Sequence, residues 1–174
     1  LLLTIADGSG AHIQGSPVSL DVVADAPSAA HSTAHGGWLR HGGVAGREMR
    51  VLVVLRDQFG NVCVQTPDGV SCVLRGAVEV LGSVTPVARG GVESIEAVST
   101  PTVAGRYWLH LTLQGEPIGR SPYGLTIRPA QADPGMAELW GDGLTHAVAG
   151  TPAYFAIQLR DTLGNPTADG AADV

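Results

Sequence analysis

Apolar and polar residues alternate with a period of two in stretch after stretch of this chain. Met49, Val51, Val53 and Leu55 share one face of the clearest run. Tyr107, Leu109, Leu111 and Leu113 share one face of another, with Trp108, His110 and Thr112 turned outward. Shorter runs of the same kind are Val18–Val22, Val70 to Leu74, Val78 to Leu81, Val92 to Val98 and Tyr123 to Ile127. Such alternation puts successive side chains on opposite faces of a sheet and predicts half-buried strands. Turn residues separate the runs, as in Thr66-Pro67-Asp68-Gly69, Thr100 to Gly105 and Gln114-Gly115-Glu116-Pro117. No segment of useful length repeats its apolar residues at helical spacing. Strands spaced by turns every ~8–12 residues predict an all-β sandwich of about seven strands. Leu52 and Val54 lie on the other face of the Met49 run and predict that a neighbouring unit covers that face.

The pattern repeats. Leu55-Arg56-Asp57-Gln58-Phe59-Gly60-Asn61 returns as Leu159-Arg160-Asp161-Thr162-Leu163-Gly164-Asn165, 104 positions later. Ser16-Pro17 returns as Ser121-Pro122, and Gly36-Gly37-Trp38-Leu39-Arg40-His41 aligns with Gly141-Asp142-Gly143-Leu144-Thr145-His146. A self-similarity of this period marks tandem units of small-sandwich size. Asn61 and Asn165 are the only asparagines in the sequence. Their matched places after glycine point to a turn in which both residues tolerate unusual backbone geometry. The expected organisation is the end of one unit over residues 1–24, a complete unit over 25–130 and the opening of a further unit over 131–174. The chain is thus read as a piece of a longer protein. Ala24 to His35, small and polar, is expected to link units and run into a weak first strand, with Pro129 to Pro134 as its counterpart.

Composition narrows the function classes. The net charge is −6, and all ten basic residues are arginine. A nucleic-acid surface wants a clustered basic face, so that class is excluded. No run reaches the ~20 apolar residues of a membrane span. Leu1 to Leu3 match a strand of the central unit better than the tail of a signal peptide. Cys63 and Cys72 are too close for the disulfide that crosses an antibody-type sandwich. Two readings remain: a local bridge in a secreted protein, or two free thiols in a cytosolic one, the latter preferred. Two cysteines without a second pair do not make a zinc site.

Candidate chemistry is sparse. Asp57 and Asp161 adjoin arginines, but their recurrence favours a structural role, organising the loop by hydrogen bonds. His31, His35 and His41 are close in sequence, without the further ligand zinc would want. His41 recurs as His146, which suggests a role in the fold. No phosphate loop, nucleophile elbow or Cys/His pair is present. The expectation is therefore a non-enzyme without cofactor, metal or small-molecule substrate. Trp108 is either half-covered by its own unit or a contact for a partner.

The motifs resemble the filamin/ABP280 repeat, an immunoglobulin-like domain. The resemblance rests on Gly-x-Gly-Leu at Gly141 to Leu144, Ala149-Gly150, and Phe-x-Ile-x-x-Arg-Asp-x-x-Gly-Asn at Phe155 to Asn165. Gly-x-Tyr at Gly105 to Tyr107, Ile-x-x-Ser-Pro-Tyr at Ile118 to Tyr123, and Ile13-Gln14-Gly15-Ser16-Pro17 add to it. The central unit departs in having Gly-Gly-Trp-Leu and an irregular stretch from Ala77 to Gly91. The resemblance implies a structural and scaffolding array, binding extended peptides or proteins and neighbouring repeats, with a link to the actin cytoskeleton. Partners of such repeats add a strand beside an edge, which here implies Val70, Ser71, Cys72, Val73 and Leu74. A cytoplasmic or cytoskeletal setting follows from that reading. The alternative implied by the resemblance is the ectodomain of a cell-surface or gamete adhesion protein.

Overall fold

The computed structural model describes residues 1–63 and 68–167. Thr66 and Pro67 of the expected turn, and the last seven positions of the 131–174 unit, lie outside them. The first strands are β1 (Leu2–Leu3) and β2 (Val18–Ser19), an antiparallel pair with Leu3 opposite Val18. The alternation beyond Ser19 does not continue as strand.

The central unit follows in chain order. It comprises β3 (Ser28–His35), a single helical turn α1 (Trp38–His41), β4 (Gly43–Val44), β5 (Met49–Arg56), β6 (Val70–Arg75) and β7 (Glu79–Leu81). Then come β8 (Ser83–Arg89), β9 (Val92–Ser99), β10 (Gly105–Leu113), β11 (Glu116–Pro117) and β12 (Tyr123–Arg128). One layer has the order β4-β12-β10-β6-β7, with β11 hairpinned onto β10; the other is β3-β5-β9-β8. The third segment contributes β13 (Ala132–Trp140), a 3-10 turn at Asp142–Leu144, and β14 (Ala156–Asp161), which pairs with β13.

The inward residues of both layers meet in one core. Val53, Leu74, Leu111 and Ile118 are fully buried, with Met49, Val51, Ile95, Leu109 and Ile127 close to it. Each such side chain contributes about 1.5–3 kcal/mol by leaving water. Tyr107 is buried as well, and its hydroxyl donates to the Val103 carbonyl four residues upstream at 2.9 Å. That contact is the tyrosine corner of immunoglobulin-like sandwiches.

Two expectations are corrected. The stretch from Ala77 to Gly91 is regular: β7 pairs with β6, and β8 forms a full ladder with β9. Gly82 lets the chain cross between layers there, because a β-carbon at Gly82 would meet Cys72 Sγ at 2.6 Å. The outer face of β5, with Leu52 and Val54, is partly covered from within the central unit. Glu96, opposite Leu52, is 7% exposed and accepts from Arg50 at 2.7 Å and Arg89 at 2.6 Å. The departure at Gly-Gly-Trp-Leu is accommodated by α1, with the Trp38 ring lying where a side chain on Gly43 would stand. The third segment makes a 3-10 turn at the matching place.

Candidate functional site

The recurring Asp-x-x-Gly-Asn element follows the end of β5 and spans the end of β14. In the first copy, Asp57 is fully buried. Its Oδ1 accepts the backbone N–H groups of Phe59 at 2.9 Å and Asn61 at 2.8 Å. Its Oδ2 accepts the Asp25 N–H at 3.0 Å and the Asn61 carboxamide at 2.9 Å. The second copy repeats this arrangement atom for atom, with Leu163, Asn165 and Ala130 as donors to Asp161. Gly60 and Gly164 adopt φ +89 and +83 to close the loop, a geometry that glycine reaches without a Cβ clash. Each aspartate thus ties the turn to the linker entering its own unit.

Four donors hold a carboxylate ionised. Donation from Asn61, with the backbone bonds, outweighs burial and brings the Asp57 pKa down to about 2. At Asp161 burial is the largest influence and opposes ionisation, but the bonds from Asn165, Ala130 and Leu163 together still hold it below the usual carboxylate range. Both carboxylates are engaged in organising their turns.

The two copies differ in one respect. Asn165 reaches beyond its own turn: its Nδ2 donates to the Thr102 carbonyl at 2.9 Å, and its Oδ1 accepts the Ala104 N–H at 2.8 Å. Both partners belong to the loop leading into β10 of the central unit. Leu163 packs beside Gly46 of the same unit, where a β-carbon would come within 3.0 Å of its Cδ1. Asn165 is 5% exposed, whereas Asn61 is exposed and Phe59 is 75% exposed.

Val70 to Leu74 form most of β6. Val70, Cys72 and Leu74 point into the core, and Ser71 and Val73 point outward. β10 flanks β6 from Val70 to Arg75, and β7 covers its far side from Val73 to Arg75. Gly82 N–H also donates to the Cys72 carbonyl. The outer ladder of this layer belongs to Glu79–Leu81 where it runs beside Val73 to Arg75, and among the described residues no strand pairs with that side of Val70 and Ser71. The strand itself is expected over Val78 to Leu81; alternation along the chain does not show that it pairs beside β6. Trp108 stands 57% exposed opposite Gly124, and its ring lies against that glycine's backbone. His110, Val73 and Leu81 occupy the next row of the same face, and Arg75 pairs with Glu79 at 3.0 Å beside Trp108.

His31, His35 and His41 do come together, on the rim of an open concavity of about 850 Å³ between β3, α1 and the turn before β12. Arg40 and Arg120 join them, and no acidic side chain lines it. Sequence reading missed Arg120 because it arrives from a distant turn. His31 Nδ1 bonds Ser28 Oγ at 3.0 Å and His35 Nε2 bonds Thr33 Oγ1 at 2.9 Å. Such a lining attracts anions rather than metal cations. Among the described residues no group of three or more His, Cys, Asp or Glu is arranged around a metal position. The N–H groups of His41 and His146 close helical turns on Gly37 and Asp142 at their matching places.

The cysteines are free and buried. Cys63 Sγ lies 3.4 Å from the Asp25 carbonyl, while Cys72 faces Gly82. Burial pushes the Cys72 thiol up to about 11 and raises that of Cys63, helped there by the charges of Asp57 and Asp25.

No family model matches the chain, and no curated protein matches it. Solved structures of similar shape include FdeC, an adhesin of Escherichia coli, with a TM-score of 0.65 and 22% identity. The match covers 92% of this chain and 50% of that one. Invasin, a bacterial integrin-binding protein, gives 0.55 at 14% identity, covering 82% of this chain and 28% of its own. The Lin-41 filamin domain gives 0.50 at 23% identity, covering 60% of this chain and 98% of its own. This chain thus spans about half the length of FdeC and less of invasin. The fold of the chain is all-β and immunoglobulin-like, with a complete sandwich at its centre.

Proposed function

We propose that this chain is part of a tandem array of immunoglobulin-like units in a cell-surface adhesion protein, without catalytic activity of its own. The observation that carries this reading is the extent of the likeness to FdeC. It runs over 92% of the chain, and the likeness to invasin runs over 82%. The Asn165 junction supports it, since a fixed joint suits a rod that holds a binding surface away from a membrane. Free thiols do not argue for the cytosol here, because both are buried and shielded from oxidant or partner thiol.

The test is antibody labelling against residues 25–130 on whole cells that express the protein. Labelling of intact cells, lost after external protease, is the expected result. Signal only after permeabilisation overturns the reading. Filamentous actin pelleting with the chain would then favour the cytoskeletal scaffold.

Docking of an extended peptide by strand addition is the second reading, and it moves to β7. That strand offers three residues, and Pro86 interrupts the donors of β8, the edge of the other layer. Short and proline-bearing edges are how sheets discourage added strands. The outward face that carries Trp108, with Val73 and Leu81 in the next row, is the better surface for a protein partner.

A further inference from the structure

We infer that Asn61 and Phe59 form a socket for the pole of another immunoglobulin-like unit, the one placed before the central sandwich in an array. The chain contains its own filled example. Asn165 and Leu163 occupy the same positions 104 residues later, on the same Asp-x-x-Gly-Asn loop. There the carboxamide binds one carbonyl and one N–H two residues apart, Thr102 and Ala104, and the leucine meets the Ala45-Gly46 turn.

Everything that prepares Asn165 for this contact is present at Asn61. Asp57 fixes the Asn61 carboxamide at 2.9 Å, as Asp161 fixes that of Asn165. The linker N–H bonds the aspartate in both, from Asp25 and from Ala130. What differs is the cover. Among the described residues nothing donates to Asn61 Oδ1, and Phe59 presents three quarters of its surface. A large aromatic held out on a rigid loop beside an oriented amide is costly to leave in water and suited to burial against a glycine turn.

The occupant follows from the filled copy. It is a unit that presents a backbone carbonyl and N–H two residues apart just ahead of its Gly-x-Tyr strand, beside an Ala-Gly turn. The unit to which β1 and β2 belong is the natural candidate, because β1 corresponds to β10, whose preceding loop is the one that Asn165 binds. Asn-mediated joints would then recur once per unit and set a constant angle along the array. The inference rests on the tandem-array reading but not on cellular location, so surface labelling and the following experiment fail independently.

The experiment joins residues 25–129 directly ahead of residues 25–174, so that the first sandwich faces the Asn61 loop of the second through a linker of natural length. The central unit has a closed core of its own, which permits this duplication. Amide hydrogen exchange is read at Ala104 in both copies. The second copy, bonded to Asn165, serves as the internal standard. Protection of the first-copy Ala104 to a similar degree is expected, falling about tenfold in Asn61→Ala, the loss of one such bond. Phe59→Ser, which leaves the Asp57 turn intact, should also reduce it. A first-copy Ala104 that exchanges at the unprotected rate, while the second copy is protected, overturns the inference. So does protection unaffected by both substitutions.

Discussion

At the scale of single residues, the aspartates of the repeated turn are the most committed groups in the molecule. Their placement was legible because the sequence conserves its scarce asparagines at matching positions, and only a backbone requirement explains that economy. Their burial was not legible, since the donors that converge on each come from as near as 2 residues and as far as 32 for Asp57 and 31 for Asp161. The folded pKa of Asp57, about 2, lies below its ordinary value of 3.8. A depressed carboxylate stabilises the fold fully above the unfolded value and loses that contribution as pH falls through the folded one. The unfolding temperature of the central unit should therefore fall between about pH 4 and pH 2. Asp57→Asn should be less stable at neutral pH, because one amide oxygen cannot accept four bonds, and its stability should vary less over that window. Thermal unfolding followed by circular dichroism across pH checks both.

At the scale of elements, every strand with clean alternation was readable and the ones without it were not. β5 and β10 carry large apolar residues at every second place and are buried on that face. β8 was not read as a strand because Pro86 interrupts it, yet an edge strand tolerates a proline whose missing N–H would have faced water. β7 was expected over Val78 to Leu81 and forms at Glu79–Leu81, but no local signal shows that it pairs with the outer side of β6 from Val73 to Arg75. That placement changes what a substitution does. Val73 lies between His110 and Leu81 in adjacent strands. Val73→Pro removes a donor and crowds the sheet at an interior position, so it should destabilise the whole sandwich rather than block a docked peptide. A drop in the unfolding temperature of about 10 °C corresponds to roughly 2 kcal/mol for a domain of this size. A variant with unchanged unfolding temperature would contradict the placement of β7.

At the scale of the whole molecule, the same sequence pattern has two fates. Val51 and Val53 in the central unit are 2% and 0% exposed, while their counterparts Phe155 and Ile157 are 53% and 54% exposed. The difference is the facing layer, which the central unit has and the described part of the third segment lacks. Hydrogen exchange should accordingly be slow in β5, β9 and β10 and faster by orders of magnitude in β13 and β14, with Asn165 and Ala104 protected only at the junction. Uniform protection along the chain would refute this division. The sequence by itself determined the strands, their period, the repeated turn and the sandwich class, because side-chain alternation and turn chemistry are local properties of a polypeptide. Which strand ends a sheet, which carboxylate is sealed, and whether an asparagine joins one unit to the next were decided only by the tertiary structure. Those depend on what stands opposite a residue in space, and no neighbour along the chain specifies that.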